Sequence, residues 1–438
     1  MLRFGNAWGE ITPNGDIDKR PAIPYDSHTE GGSAVIIRKI RQEELKRCAQ
    51  LSALAFEYPM EGAEQPPEEY ARRLIESPGS ADDLHWDSRW AAFEDDDRTM
   101  MATFCVIPWR ANFDGHAVTM GGIGGVASLP QYRRGGAIRR CFEAALPDMY
   151  ERGMVLSYLY PFSNAFYRKF GYEIACDEAR WRVKLSLLPS LDAPGRWAMQ
   201  EKGADLTADI RAIDEVRARR YNCAIFGGDT EYLWTEKDPF VTREYVYVYY
   251  DAAGRPSAYA AIRARPGQEL ECARCCFNDR AGLEGLLALL RRYAADHSHA
   301  VIPMPVDVDP RAIFPEFSFG TVERSLVQRG MVRVVNVERA LALARTKGEG
   351  TLVVRVADGQ IPRNDGTFEV RFAPGAENEV RRTDAAPDVE LSIQDFSRLL
   401  VGCCELYPEW LPGARVHCEM EKARRVFYRK GNYISQRF

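Results

Sequence analysis

The chain has no continuous apolar run of about eighteen residues, so no segment is fit to cross a bilayer as a helix. Its first residues lack the charged-then-apolar pattern of an export signal, and a protein that is not exported is expected. Neither charge is in large excess: 58 Lys and Arg against 63 Asp and Glu leave a formal net charge of -5. That excludes a nucleic-acid protein read from bulk charge, so any basic site has to be local. Metal-ligand pairs are also missing. Cys272, Cys275 and Cys276 stand together without a second Cys or His pair at ligand spacing, and His297 and His299 are isolated, so no metal cofactor is expected. The 11 cysteines follow no framework spacing and sit mostly in apolar runs, which excludes a disulfide scaffold and fits a reducing cytoplasm.

What is present begins with length, since 438 residues exceed what one hydrophobic core usually serves and imply two or three domains. Residues 1–33, rich in Gly, Pro, Asp and Asn, read as an extended leader. From residue 34 the pattern predicts a strand in AVIIRKI and an amphipathic helix in EELKRCAQLSALAF. A hairpin follows across the turn DDDR, then a further strand over 117–129. Next come a helix that Pro147 is expected to kink or shorten, a buried strand MVLSYLYPF, and a short helix capped by Ser163 and broken at Gly171.

The most informative stretch is GGIGGVASLPQYRRGGAIRR, residues 121–140, where a Gly-broken strand runs through a basic turn into a helix. Arg133, Arg134, Gly135, Gly136, Ala137 and Ile138 fit Arg-x-x-Gly-x-x, in which small residues let backbone N–H groups at a helix start converge on an anion. An ordinary solvated helix start is the alternative. Like charges packed at a helix amino terminus are unfavourable without an anion, however, which favours phosphate. Gly121, Gly122, Gly124 and Gly125 read as a bulged strand rather than as ligand contacts.

This order of elements resembles a GNAT (Gcn5-related) N-acetyltransferase, and more narrowly the Eis (enhanced intracellular survival) acetyltransferases. The resemblance rests on VASLPQYRRGGAIRR (126–140), FYRKFGY (166–172), MVRVVNVERAL (331–341) and the tail ending in Phe438. It implies an α/β (α+β) chain of two tandem GNAT-like domains followed by a sterol-carrier-protein-like domain. The corresponding divisions are 34–184 for the catalytic domain, 185–326 for a degenerate second copy, and 327–438 for a carboxy-terminal domain that ends in the active site. FNDRAGLEG in the second copy offers Arg280 without the Arg-x-x-Gly spacing, so that copy is expected to bind no coenzyme.

The resemblance further implies acetyl-coenzyme A as cosubstrate, its pyrophosphate over Arg133 to Ile138 and its pantetheine arm on the edge amides of Val126, Ala127 and Ser128. An amine must be neutral to attack, and the departing thiolate benefits from a proton donor, so the chemistry needs a base and an acid. Tyr167 matches the family's acid; its other reading is packing with Phe166, Phe170 and Tyr172. Phe438 supplies the terminal carboxylate that the family uses as base, although most chain ends are frayed and inert. Phe56 and Glu57 would line the acceptor pocket, for an aminoglycoside-like polycation or a lysine side chain. Glu57 reads equally as an exposed helix-end carboxylate. Arg437 departs from the acidic penultimate residue of the mycobacterial members, and a cation there would lower the carboxylate's basicity and repel a polyamine. The family's hexameric assembly sets the expected oligomer. A binding protein, coenzyme-gated or lipid-carrying, is the alternative from a different class; the pairing of Arg133-x-x-Gly136 with Tyr167 favours an enzyme.

Overall fold

The computed structural model describes residues 35–76, 86–188, 191, 193–201, 205–228, 232, 234–235, 238–314 and 320–434. The expected leader over 1–33 and the terminal residues Arg437 and Phe438 lie outside the described residues.

The chain opens with β1 (Ile36–Lys39), α1 (Leu45–Ala55), α2 (Pro67–Glu76), β2 (Arg89–Phe93), β3 (Met100–Phe113) and β4 (His116–Ser128). It continues through α3 (Ala137–Glu151), β5 (Leu156–Leu159), α4 (Asn164–Arg168) and β6 (Glu173–Ala175). Cys141, Phe142, Ala145, Leu146 and Met149 recur at helical spacing and give α3 one fully buried stripe. The helix continues past Pro147 to Glu151 rather than stopping short, with Arg152 N still donating to Asp148 O at 2.9 Å. Pro147 deprives only the carbonyl of Glu143, a residue on the exposed side of α3, where water can serve it. Ser163 caps α4 as expected, accepting from Phe166 N at 3.4 Å.

A second set follows: β7 (Glu178–Lys184), β8 (Arg196–Met199), α5 (Thr207–Arg220), α6 (Pro239–Thr242), β9 (Tyr245–Tyr250), β10 (Pro256–Arg263), β11 (Leu270–Phe277), α7 (Arg280–Arg291), β12 (His299–Pro305) and β13 (Val322–Val327). The last part comprises β14 (Gly330–Val334), α8 (Val337–Leu343), β15 (Gly350–Ala357), β16 (Gly366–Phe372), β17 (Glu379–Arg382), β18 (Val389–Ser392), α9 (Ile393–Leu400), β19 (Ala414–Val416) and α10 (Met420–Arg424).

Two seven-stranded sheets repeat one topology, β1-β2-β3-β4-β5-β14-β6 and β8-β9-β10-β11-β12-β7-β13, beside a five-stranded sheet β17-β16-β15-β18-β19. In each large sheet the single parallel pair, β4 with β5 and β11 with β12, is joined across a helix, α3 or α7. The chain is therefore a tandem α/β protein with a smaller third unit. The two copies also exchange a strand. After β6 the chain crosses to place β7 between β12 and β13, and after β13 it crosses back to place β14 between β5 and β6. The sheets thus divide the chain one strand away from each join of the expected 34–184, 185–326 and 327–438 segments, because hydrophobic periodicity marks a buried strand without saying which sheet it enters.

Asp114, at the β3–β4 turn, binds all three parts together. Its buried carboxylate accepts from Lys430 Nζ at 2.5 Å, Arg345 N at 2.8 Å and Asn222 Nδ2 at 2.9 Å. Burial pushes the Lys430 ammonium below its ordinary pKa, against the opposing pull of Asp114. Asn222 bridges to Asn432, and Tyr433 N donates to Asn222 O at 3.1 Å, so the carboxy-terminal tail is added edge-on through 222 to the first domain. Tyr433 and Ile434 are buried, which agrees with a docked tail as far as residue 434.

Asp114→Ala leaves Lys430 buried without its counter-ion and should cost about 3–5 kcal/mol in urea denaturation. Lys430→Met should cost less, since two backbone and amide donors still satisfy Asp114. Equal losses would show that those two donors do not sustain Asp114 without Lys430.

Candidate active site

The first sheet opens at one place. β4 pairs with β5 only from Met120↔Leu156 to Ile123↔Leu159, and among the described residues no strand covers that edge of β4 beyond Ile123. Opposite, the β3–β4 register slips between Thr103↔Ala127 and Cys105↔Gly124, so β4 carries an extra residue there. Gly125, at φ +62°, is the left-handed residue such a bulge requires. The glycines around 121–125 therefore mark a bulge, as expected. Leu129 N donates to Met101 O at 3.0 Å, so by strand alternation Ala127 also faces β3. Of the three residues expected to offer edge amides, Val126 and Ser128 face the opening.

Four residues beyond β4 the chain forms the basic turn. Arg134 at φ +68° and Gly136 at φ +80° alternate with right-handed or extended neighbours, and Gly136 is the N-cap of α3 with no side-chain cap. The first amides of α3, Ala137 and Ile138 among them, are left for an external acceptor. A Cβ placed on Gly136 meets nothing within 4 Å, so the space over the helix start is open. Arg133, Arg134, Gly135, Arg139 and Arg140 are exposed around it. Arg139 is held by Glu143 at 2.8 Å, on the helix surface. Open space, an uncapped helix start and exposed arginines make this turn a cradle chemically suited to an anion.

The matching turn of the second copy is closed. The N-cap of α7 is Asp279, whose carboxylate accepts from Gly282 N at 2.8 Å, and Arg280 pairs with Glu284 at 2.7 Å. A built-in anion occupies the position that α3 leaves open.

α4 follows the end of β5 where it parts from β4, and it carries Tyr167. The ring is buried against Phe142, Phe166 and Tyr172 at centroid distances of 6.1, 5.1 and 6.5 Å, so the packing reading holds for the ring. No described residue hydrogen-bonds its hydroxyl. Burial pushes the phenol well above its ordinary pKa, with Tyr172 adding to the shift. It stays protonated at neutral pH, as a proton donor must. Packed on its outer side at 5.4 Å is Phe162, 72% exposed, which the sequence did not single out.

Phe56 and Glu57 sit at the end of α1, both exposed, with Glu57 at φ +54°. α1 packs on β4 through Leu45, Cys48 and Leu51 against Ala127 and Leu129, whereas Tyr167 belongs to the cluster under α3. The structure therefore places Phe56 and Glu57 on the α1 side of β4 and does not bring them into contact with Tyr167. Cys272, Cys275 and Cys276 each donate to a backbone carbonyl, of Arg274, Pro303 and Ile213, and no group of three metal-ligating side chains exists among the described residues. No helix among them is long and apolar enough to cross a membrane.

Residues 36–175 match the acetyltransferase (GNAT) domain family, and residues 337–407 match the sterol carrier protein domain family. No curated protein matches the chain. Among solved structures it is similar to a probable N-acyltransferase from Enterococcus faecalis V583, at 19% identity and a TM-score of 0.77 over 93% of this chain and 100% of that one. A GCN5-related N-acetyltransferase from Anabaena variabilis is similar at 18% identity and 0.75 over 92% and 99%. Eis1 from Mycobacterium abscessus is similar at 18% identity and 0.73 over 92% and 100%. At these identities the likeness is one of fold. With the open cradle lying inside the matched segment, the chain carries a GNAT acetyltransferase domain and a sterol carrier protein domain and is an acyltransferase.

Proposed function

We propose that the protein is an acetyl-coenzyme A dependent N-acetyltransferase of the Eis kind, with Tyr167 as general acid and the terminal carboxylate of Phe438 as base. The observation that carries this reading is the uncapped start of α3 at Gly136, next to the bulged and half-open β4, inside the GNAT-matched residues. The cosubstrate supplies an activated acetyl thioester. Backbone amides of Ala137 and Ile138, with Arg133 and Arg134, hold its pyrophosphate; Val126 and Ser128 hold the arm along the opening. The acceptor nitrogen bonds to the acetyl carbon as the carbon–sulfur bond breaks. Its surplus proton goes to the Phe438 carboxylate, directly or through water, and Tyr167 protonates the departing thiolate. A free carboxylate with a pKa near ~3.5 is a feeble base in water, so this assignment requires the chain end to be buried. The buried run to Ile434 supports it. The acceptor class is an amine of an aminoglycoside-like polycation or a lysine, for which Glu57 offers one carboxylate at the α1 end. A hexamer in the cytoplasm is the assembly and location that go with this reading.

Tyr167→Phe should lower kcat by about 10²-fold or more in a thiol-release assay while the KM for acetyl-coenzyme A stays unchanged. An unaltered kcat would remove the acid role. Because its pKa is raised, Tyr167 should contribute no alkaline loss of activity below about pH 10.

Gly136→Asp reproduces the self-capped helix start of the second copy and tolerates the left-handed backbone better than most residues. It should raise the KM for acetyl-coenzyme A by about tenfold or more. A wild-type KM would place the phosphates elsewhere.

Extending the chain by a few residues beyond Phe438 replaces its carboxylate with a peptide bond. Turnover should collapse while coenzyme binding, read by calorimetry, persists; full activity would eliminate the terminal base.

A further inference from the structure

Arg89 stands at the start of β2. It pairs in register with Cys105 of β3, and its guanidinium reaches across β3 to the bulge: a Cβ on Gly125 would lie 3.5 Å from Arg89 Nη1. The side chain is half-buried, and its Nε is sealed from solvent without a hydrogen-bond partner. No described residue forms an ion pair with it, and Asp87, two residues back, is exposed. Phenols and thiols crowd around it, with the Asp87 carboxylate also within electrostatic reach of Cys105. Arg89 opposes the burial that pushes up the Tyr58 and Tyr70 phenols and the Cys48 and Cys105 thiols.

Neighbouring arginines have partners for their outer nitrogens, although Arg73 shares with Arg89 a buried Nε without a hydrogen bond. Arg38 binds Glu44 and Asp97 at 2.7 Å each, and Arg73 donates to Glu61 O at 3.2 Å. A half-buried cation with no counter-ion is costly unless a ligand supplies one. A guanidinium fork matches a carboxylate with two parallel hydrogen bonds. Gly125 adjoins Val126, along which the acyl arm is proposed to run, so an anion on Arg89 belongs to the molecule that meets the acetyl group.

We propose that Arg89 binds a carboxylate of the acceptor, so that the preferred substrate is an amine that also carries an acid, rather than a polycation without one. This rests on the acetyl-transfer reading above and narrows its acceptor. Glu57, further out on the α1 side, remains available to a second amine of such a molecule.

The test pairs amines that differ only in carboxylate against carboxamide, such as lysine with lysinamide and phenylalanine with phenylalaninamide, in a thiol-release assay on the full-length protein. The acids should show kcat/KM about tenfold or more above their amides. Arg89→Gln should bring that ratio close to one without changing the KM for acetyl-coenzyme A, and Arg89→Lys should restore part of it. Amides preferred by the wild type, or a ratio unmoved by Arg89→Gln, would overturn the proposal. A second measurement does not need turnover: thermal melting of the coenzyme A-saturated protein with N-acetylphenylalanine or its amide. A stabilisation by the acid alone, lost in Arg89→Gln, supports the anion site even if no amine is acetylated, in which case it is the acetyl-transfer reading that fails. No stabilisation by either compound, together with a melting point of Arg89→Gln several degrees below wild type, would assign Arg89 to structure and overturn the proposal.

Discussion

The Asp114 carboxylate is the point on which the arrangement of the three parts turns. A β-hairpin tip ordinarily faces water, but this one is driven into the junction, where its carboxylate is met by Asn222 from the second copy and by Arg345 and Lys430 from the third unit. A buried anion holds its partners more strictly than an apolar contact does, since displacing any one of them leaves a polar group in a dry site. The same residues carry the tail: Asn222 takes the backbone of 431–433, and Lys430 stands immediately before it. The register of the tail as far as Tyr433 is therefore fixed from the tip of the longest hairpin of the first sheet. A second buried pair, Arg333 with Asp358 at 2.7 Å, does the same for β14, which the third unit thereby holds in the first sheet.

Strand exchange reinforces this coupling. β14 lies between β5 and β6, and Gly171, at φ +84°, leaves room for the Arg333 guanidinium that donates to Phe170 O at 2.9 Å. α4, with Tyr167, stands just before that glycine. Its position thus depends on a strand that arrives more than a hundred and fifty residues later, from the far side of the second copy. A domain cut at 184 would lose β14 and the support behind α4.

Much of this was legible in the sequence, and the limits have physical causes. Local residue types located β1 to β5, the cap at Ser163 and the Gly bulge, because each is written in neighbouring residues. The Arg-x-x-Gly turn was legible for the same reason. The exchange of β7 and β14 was not, since GMVRV and EARWRVK say that they are strands without naming their neighbours. Asp114 stands before Gly115 in the sequence, and nothing in its neighbours announces a partner at 430. Arg89 was hidden at the edge of an ordinary strand, RWAAF, and only the bulge at Gly125, a cross-strand fact, gives it a position. Pro147 does not shorten α3, because the bond it forfeits lies on the exposed side of the helix, where water can replace it.

The two helix starts differ in what they leave open. α3 and α7 occupy the same slot between the parallel strands of sheets with the same order, so their dipoles and free amides begin as equals. Asp279 satisfies α7 from within the chain, at short range and with no loss of translational entropy, and an external phosphate cannot compete with it. Gly136 offers α3 no such group, and exposed Arg133 and Arg134 precede it in the turn. That helix start is stabilised only when an anion arrives, so its free energy is available for binding rather than for folding. Arg89 follows the same logic on the other side of the bulge: a cation left unmatched by the fold is a demand on the ligand. On the two proposed readings, a single opened stretch of β4 joins two positive sites, one for the phosphates of the cosubstrate and one for an acid on the acceptor.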